Sequence, residues 1–224
     1  MSFPEILYED NHIIAINKPA GYLSQSDGSS APDVLNSLKA FIKQRDSKPG
    51  NVYLGLVHRL DRPVSGVLVI ARTSKSASRL SAAFRERTVI KMYRAVVQGD
   101  VTRIHHETAG RLVHRLLRDE RTRISQITDQ EGKPASLSWR VLRTALHRSW
   151  IEVALETGLP HQIRAQLAAV GHPIVGDRKY GAKQTILNEK GVIALYCHEM
   201  QVPHPISGNT FSVRAPSPAF WKDL

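Results

Sequence analysis

One cysteine, Cys197, stands in the 224 residues. An intramolecular disulfide is therefore excluded, and the thiol reads as a small core residue. No uninterrupted apolar stretch approaches the ~20 residues needed to cross a bilayer. The start, "MSFPEILYED", lacks the basic-then-apolar order of a secretion signal. These absences point to a cytoplasmic protein with no membrane segment. Acidic residues are few, 20 against 31 Lys and Arg, leaving a formal net charge of +11 and a pI near 10.0. Such an excess selects polyanionic partners, because Lys and Arg that neutralise phosphates release counterions and gain affinity without reading sequence.

Other absences remove whole chemistries. No His-Glu-x-x-His and no paired Cys-x-x-Cys occurs, and the adjacent pair His105 and His106 would diverge on a strand, so no metal site is expected. There is no Gly-x-x-x-x-Gly-Lys-Ser/Thr, and the glycines of "GYLSQSDG" lack the strand–glycine–helix order of a phosphate loop. Ser65 and Ser149 have no Gly-x-Ser-x-Gly elbow. Repeats, low-complexity tracts and long linkers are absent too, so a single domain over 1–224 is expected.

What is present alternates short strands with few helices. "ILYEDNHIIAINKPAG" reads as strands Ile6 to Tyr8 and Ile13 to Ile16 about the turn residues Asp10 and Asn11. Val34, Leu35, Leu38, Phe41 and Ile42 recur at helical spacing between Pro32 and Arg45, with Pro32 suited to a first turn. Val67 to Ala71 is a continuous apolar strand. Thr73 or Ser74 then caps a helix to about Arg87. Strands are expected at Lys91 to Gln98, Thr122 to Thr128, Ser136 to Leu142 and Trp150 to Leu155. A helix carrying Ile163, Leu167 and Val170 ends at Gly171, and strands return at Val192 to Gln201 and Thr210 to Val213. Consecutive strands with few helices favour an α+β fold around a largely antiparallel or mixed sheet.

The stretch "VHRLDRPVSG", Val57 to Gly66, lies between the apolar runs Val52–Val57 and Val67–Ala71. An Asp at a strand boundary is ordinarily a turn residue or helix cap. Asp61, however, is flanked by Arg59 and Arg62 and followed by a tight Pro-Val-Ser-Gly. A neighbouring guanidinium favours the ionised form of a partly desolvated carboxyl, and an ionised Asp is a competent nucleophile or charge stabiliser.

These residues resemble the central motif of the pseudouridine synthases, in particular the RluA-type branch, whose pattern is His-Arg-Leu-Asp-x-x-Thr-Ser-Gly. "INKPAG", "KMYRAVVQG" and "ETGLPHQIRAQLAAVGHPIVGDRKYG" resemble the family's other motifs in the same order, over about residues 5 to 216. The resemblance implies the pseudouridine synthase fold and an RNA uridine isomerase that needs no cofactor, acting on transfer or ribosomal RNA without an obligate protein partner. It implies Asp61 as the catalytic carboxylate, Tyr93 as the ring against the uracil, and Arg164 as the cation paired with Asp61. Read alone, Tyr93 is a sheet residue and Arg164 a solvated helix cation. Lys18, His58, Arg59 and Arg62 are the residues expected at the RNA, Arg59 helping to displace the target base.

Two basic runs add to this surface: Arg72, Lys75, Arg79, Arg85, Arg87 and Lys91, then Arg111, Arg115, Arg118, Arg121 and Arg123. Each alone reads as a solvated face. The chain begins almost directly at the catalytic motifs, so no small RNA-binding module is expected in front of them. Val64 stands where the family usually has Thr, Leu159-Pro160 where Arg-Thr is usual, Gln166 where His is common, and Tyr196-Cys197 where a His-Ala pair is usual. The changes at 159, 160 and 166 suggest a lost phosphate contact. The substitutions at Val64 and Leu159 also motivate a rival reading, an RNA-binding or chaperone protein on the same scaffold. Glycoside hydrolysis would need a second placed carboxylate, and no pairing is evident.

Overall fold

The computed structural model describes residues 4–102, 107–145, 147–187 and 189–224; His105 and His106 lie outside them. The chain divides into two compact units, one gathering the residues up to Ile90 with Cys197–Pro216, the other Lys91–Tyr196 with Ser217–Leu224.

In the first unit, β1 (Ile6–Glu9), β2 (Ile13–Lys18), β3 (Gly55–Leu56) and β4 (Ser65–Ala71) form antiparallel pairs β1–β2, β2–β4 and β3–β4. All seven residues of β4 are buried, which is why this strand reads as a continuous apolar run. Two helices belong to this unit. In α1 (Val34–Arg45) Asp33 Oδ1 accepts from the Asn36 N–H at 2.9 Å, so Asp33 is the cap and Pro32 precedes it, a correction to the expected start. In α2 (Ser74–Arg85) Thr73 is the cap, Oγ1 accepting from the Ser76 N–H at 3.1 Å.

The second unit is a meander of long strands: β5 (Ile90–Gln98), β6 (Ala109–Asp119), β7 (Ile124–Thr128), β8 (Lys133–Ala145) and β9 (Arg148–Leu155), in spatial order β5-β9-β8-β6-β7 and antiparallel throughout. The helix α3 (Gln162–Ala169) follows; Ala165 packs with Leu116 and Ala135. Finally, β10 (Leu195–Pro203) pairs antiparallel with β11 (Thr210–Arg214) through Glu199 to Pro203, within the first unit. The architecture is the α+β class expected.

Strand β6 was not anticipated. Its outward residues alternate Arg111, Val113, Arg115, Leu117, so the segment carries too much charge to read as apolar, although Leu112, His114 and Leu116 point the other way. The Val52–Val57 run pairs only at Gly55–Leu56. The helix α3 starts at Gln162, because His161 before it is left-handed at φ 54°.

One glycine is indispensable to the path into β4. Gly66 has φ +108°, and a Cβ there would lie 2.2 Å from the Cys197 carbonyl oxygen. Gly66→Ala is therefore expected to lower unfolding free energy by at least ~2 kcal/mol, measured by urea denaturation; unchanged stability would refute this close approach.

Candidate active site

The Asp61 loop runs from β3 to β4 and is fixed along its length. Leu60 and Val64 are buried on either side of half-buried Asp61. The Val64 N–H donates to the Asp61 carbonyl at 3.0 Å, closing a tight turn. Val64, where Thr is usual, is thus an apolar anchor. Ser24 Oγ donates to the Leu60 carbonyl at 2.9 Å and accepts from the Leu60 N–H at 3.1 Å. The Gly21 N–H donates to the Arg62 carbonyl at 2.8 Å, and Arg62 Nε returns a bond to the Gly21 carbonyl at 3.0 Å. His58 Nε2 accepts from the Val69 N–H at 2.9 Å, and its ring stacks on Phe84 at 4.7 Å. An imidazole accepting through Nε2 carries its proton on Nδ1. Arg59 and Arg62 are exposed.

Lys18 has no accessible surface, which removes it from any face an RNA touches and corrects that expectation. Its Nζ donates to the carbonyls of Pro19 at 2.9 Å and Tyr22 at 2.8 Å, and reaches the Arg62 carbonyl at 3.5 Å. Burial pushes its ammonium down to about 7, against the opposing pull of the Asp61 charge. The physical cause of its burial is this ring of carbonyls, which composition could not reveal.

In the second unit, Tyr93 lies on β5, buried, paired in register with Val153. Arg164 is buried on α3 in a two-pronged bond to Asp177, Nε to Oδ2 at 2.7 Å and Nη2 to Oδ1 at 2.9 Å. Its guanidinium also sits 5.0 Å from the Tyr180 ring. Tyr180 is itself fixed, its hydroxyl accepting from the Ser125 N–H at 2.9 Å with His161 Nδ1 at the same distance. The loop "HPIVGDRKYG" thus orients Arg164, a role the sequence reading did not give to Asp177 or Tyr180; the acid in a loop directly after the Arg helix was the available signal.

The motif glutamines Gln162 and Gln166 face inward. Gln162 Oε1 accepts from Thr157 Oγ1 at 2.8 Å and the Leu159 N–H at 3.1 Å, while its Nε2 donates to Gln166 Oε1 at 2.9 Å. Gln166 Nε2 donates to the carbonyls of Leu112 and Ala135, both at 3.3 Å. Gln166 is fully buried, and Leu159 packs on Leu116, Ala135 and Ala165. Leu159 therefore takes part in packing and Gln166 in internal bonding, while Pro160 is exposed. Cys197 is buried, as expected for a core thiol.

Several cations of the basic runs are bonded within the protein. Arg72 pairs with Glu9 at 2.9 Å, Arg79 donates to the Pro205 carbonyl at 2.6 Å, and Arg111 pairs with Glu156 at 2.6 Å. Among the described residues no cluster of three or more His, Cys, Asp or Glu could hold a metal ion, and no helix is long and apolar enough to cross a membrane.

Residues 12–169 match the model of the RNA pseudouridylate synthase family. The chain belongs to this family of RNA-modifying enzymes. It is 35% identical over 222 residues to an uncharacterized RNA pseudouridine synthase of Synechocystis, covering 98% of this chain and 67% of that protein. It is 35% identical to ribosomal large subunit pseudouridine synthase D of Neisseria meningitidis, over 96% of this chain and 58% of the relative. Ribosomal large subunit pseudouridine synthase C of Vibrio cholerae is 32% identical, with 94% and 65% covered. The chain thus spans between 58% and 67% of the length of these relatives. The fold matches human RNA pseudouridylate synthase domain containing 4, with TM-score 0.78 and 22% identity over 97% of this chain and 90% of that one. Human RNA pseudouridylate synthase domain containing 1 gives 0.76 and 24%, with 96% and 84% covered.

The Lys18 site makes a pH prediction. A lysine held near 7 when folded and at 10.5 when unfolded binds fewer protons folded across that window. Its contribution to stability is present above the unfolded value and is lost as pH falls through about 7. The stability difference between wild type and Lys18→Met, from urea denaturation at several pH values, is expected to shift in favour of wild type as pH rises from about 7 to about 10; a pH-independent difference would contradict it.

Proposed function

We propose that this protein isomerises uridine to pseudouridine in RNA, with Asp61 as the catalytic carboxylate. The observation that carries this reading is the Asp61 loop itself: the family's central motif, half-buried, cross-tied by Lys18 and Gly21 from the other motif of the same unit and by Ser24 just after it. The reaction breaks the N1–C1′ bond, turns the uracil and forms C5–C1′; a proton leaves C5 and N1 ends protonated. Nothing is oxidised and no group enters from outside, so the reaction is balanced without a cofactor. Asp61 serves as nucleophile or stabiliser of the positive charge that develops at C1′. Tyr93 is the ring set against the uracil, and Arg164 the cation acting with Asp61, its orientation supported by the Asp177 pair. A buried ammonium at Lys18 adds positive potential at Asp61. Arg59 and Arg62, both exposed, belong to the RNA-facing side of this loop, while His58, bonded to the Val69 backbone and stacked on Phe84, supports it from within.

The two units act in this reading as one catalytic domain, supported by a family match that runs through both, over residues 12–169. Relatives named for the ribosomal large subunit favour ribosomal over transfer RNA as substrate, and a cytoplasmic location is part of this reading. No protein partner is invoked. The base must be unstacked before N1 is reached, at a cost of a few kcal/mol that phosphate contacts offset.

The test is tritium release from unmodified ribosomal and transfer RNA labelled at uridine C5. Wild type is expected to release tritium from ribosomal RNA, and Asp61→Asn to lower the rate by at least ~10³-fold while retaining RNA binding. Release by Asp61→Asn at the wild-type rate would overturn the assignment of the carboxylate. Salt-sensitive binding without release from any pool would favour the RNA-binding reading instead.

A further inference from the structure

We infer that the outer face of β6, β8 and β9 in the second unit is a docking track for the RNA backbone at a distance from the reacting uridine. This rests on the RNA-isomerase reading above.

The strand registers define the face. Tyr93 pairs with Val153 and Val153 with Trp139, so these share one side of the sheet. Arg94, Glu152 and Arg140, one residue along each strand, point to the opposite side. On β6 the same opposite side carries Arg111, Val113, Arg115 and Leu117, because Leu112, His114 and Leu116 turn toward α3. The helix that orients Arg164 therefore covers one side of the sheet, and the arginines stand on the other.

Three features select an RNA backbone for this side. Four guanidiniums, from Arg94, Arg111, Arg115 and Arg140, face two carboxylates, Glu152 and Glu156, leaving a positive excess on a β surface. Arg111 and Arg140 are aimed by those carboxylates yet remain 58% and 61% exposed at the side chain. Such guanidiniums are pre-oriented donors with N–H groups still presented to solvent. Between the arginines the floor is low: Ser138 opposes Arg111 and Ser136 opposes Val113. Finally, Val113 is 60% and Leu117 41% exposed, apolar surface suited to packing against ribose and base. Arg111 and Arg115 lie about 13 Å apart along the strand, forming a linear array and not a point site. A second copy of this chain is the poorer occupant, since each copy carries +11 and would bring like charge to the same face.

The test compares wild type with Arg111→Gln/Arg115→Gln and, separately, Val113→Glu, which places a negative charge on the track without removing an arginine. Binding to in vitro transcribed large-subunit ribosomal RNA is followed across a potassium chloride series, and tritium release from the same RNA gives kcat and KM. The double variant is expected to lower the salt slope by about 2 and raise KM about tenfold at physiological salt, with kcat unchanged. Val113→Glu is expected to raise KM in the same direction, and thermal melts of both variants should match wild type. An unchanged salt slope and KM in both variants would overturn the proposal. So would a wild-type dimer that Val113→Glu dissociates without altering RNA binding, because the face would then be a self-interface. If wild type releases no tritium, the isomerase reading fails, while the salt slopes still decide whether RNA uses this face.

Discussion

The central constraint in the first unit is the complete burial of β4. A seven-residue strand with every side chain covered tolerates no shift of register, because a one-residue slip would exchange everything on its two sides. Entry into it is equally restricted: Gly66 passes so close to the Cys197 backbone that no side chain fits. The Asp61 loop ends at this point, so its far end inherits the rigidity of the core. The near end is fixed differently, by Ser24, Gly21 and Lys18 bonding to backbone groups at Leu60 and Arg62. In the reaction proposed, a carboxylate held this way needs little reorganisation when charge develops beside it, which is where preorganised electrostatics gain their effect.

The second unit solves a different problem, holding a cation in a dry interior. A guanidinium taken out of water loses hydration that a partner must replace. Asp177 does so with two parallel bonds to Arg164, and Tyr180 adds a ring face. The Thr157, Gln162 and Gln166 chain satisfies the other buried polar atoms around α3. Removing one member of such a network strands its partner, so the polar residues of this motif are constrained as tightly as the apolar ones. Leu159 and Gln166, where they differ from the family pattern, are accommodated internally: one packs on the apolar cluster and the other meets four polar neighbours.

Much of the fold was legible in the sequence. Period-3.6 spacing marked α1, Thr73 marked the start of α2, and the apolar run marked β4, because in each case local chemistry and tertiary environment agree. Strand β6 was not legible, since arginine on its open side masks the alternation that defines it. The motifs, read in order, singled out Asp61, Tyr93 and Arg164 as candidates. What only the tertiary structure decided is which charges are internal. Lys18 reads as a surface cation and is fully buried; Arg72 and Arg79 read as part of a basic surface and are bonded to Glu9 and the Pro205 carbonyl, whereas Arg111 pairs with Glu156 and keeps its side chain exposed. Sequence specifies how many charges a chain carries and where they fall along it. Whether a charge meets water, a carbonyl or a carboxylate depends on partners that for Arg111 and Arg79 lie 45 and 126 residues away, and only the folded chain brings them together.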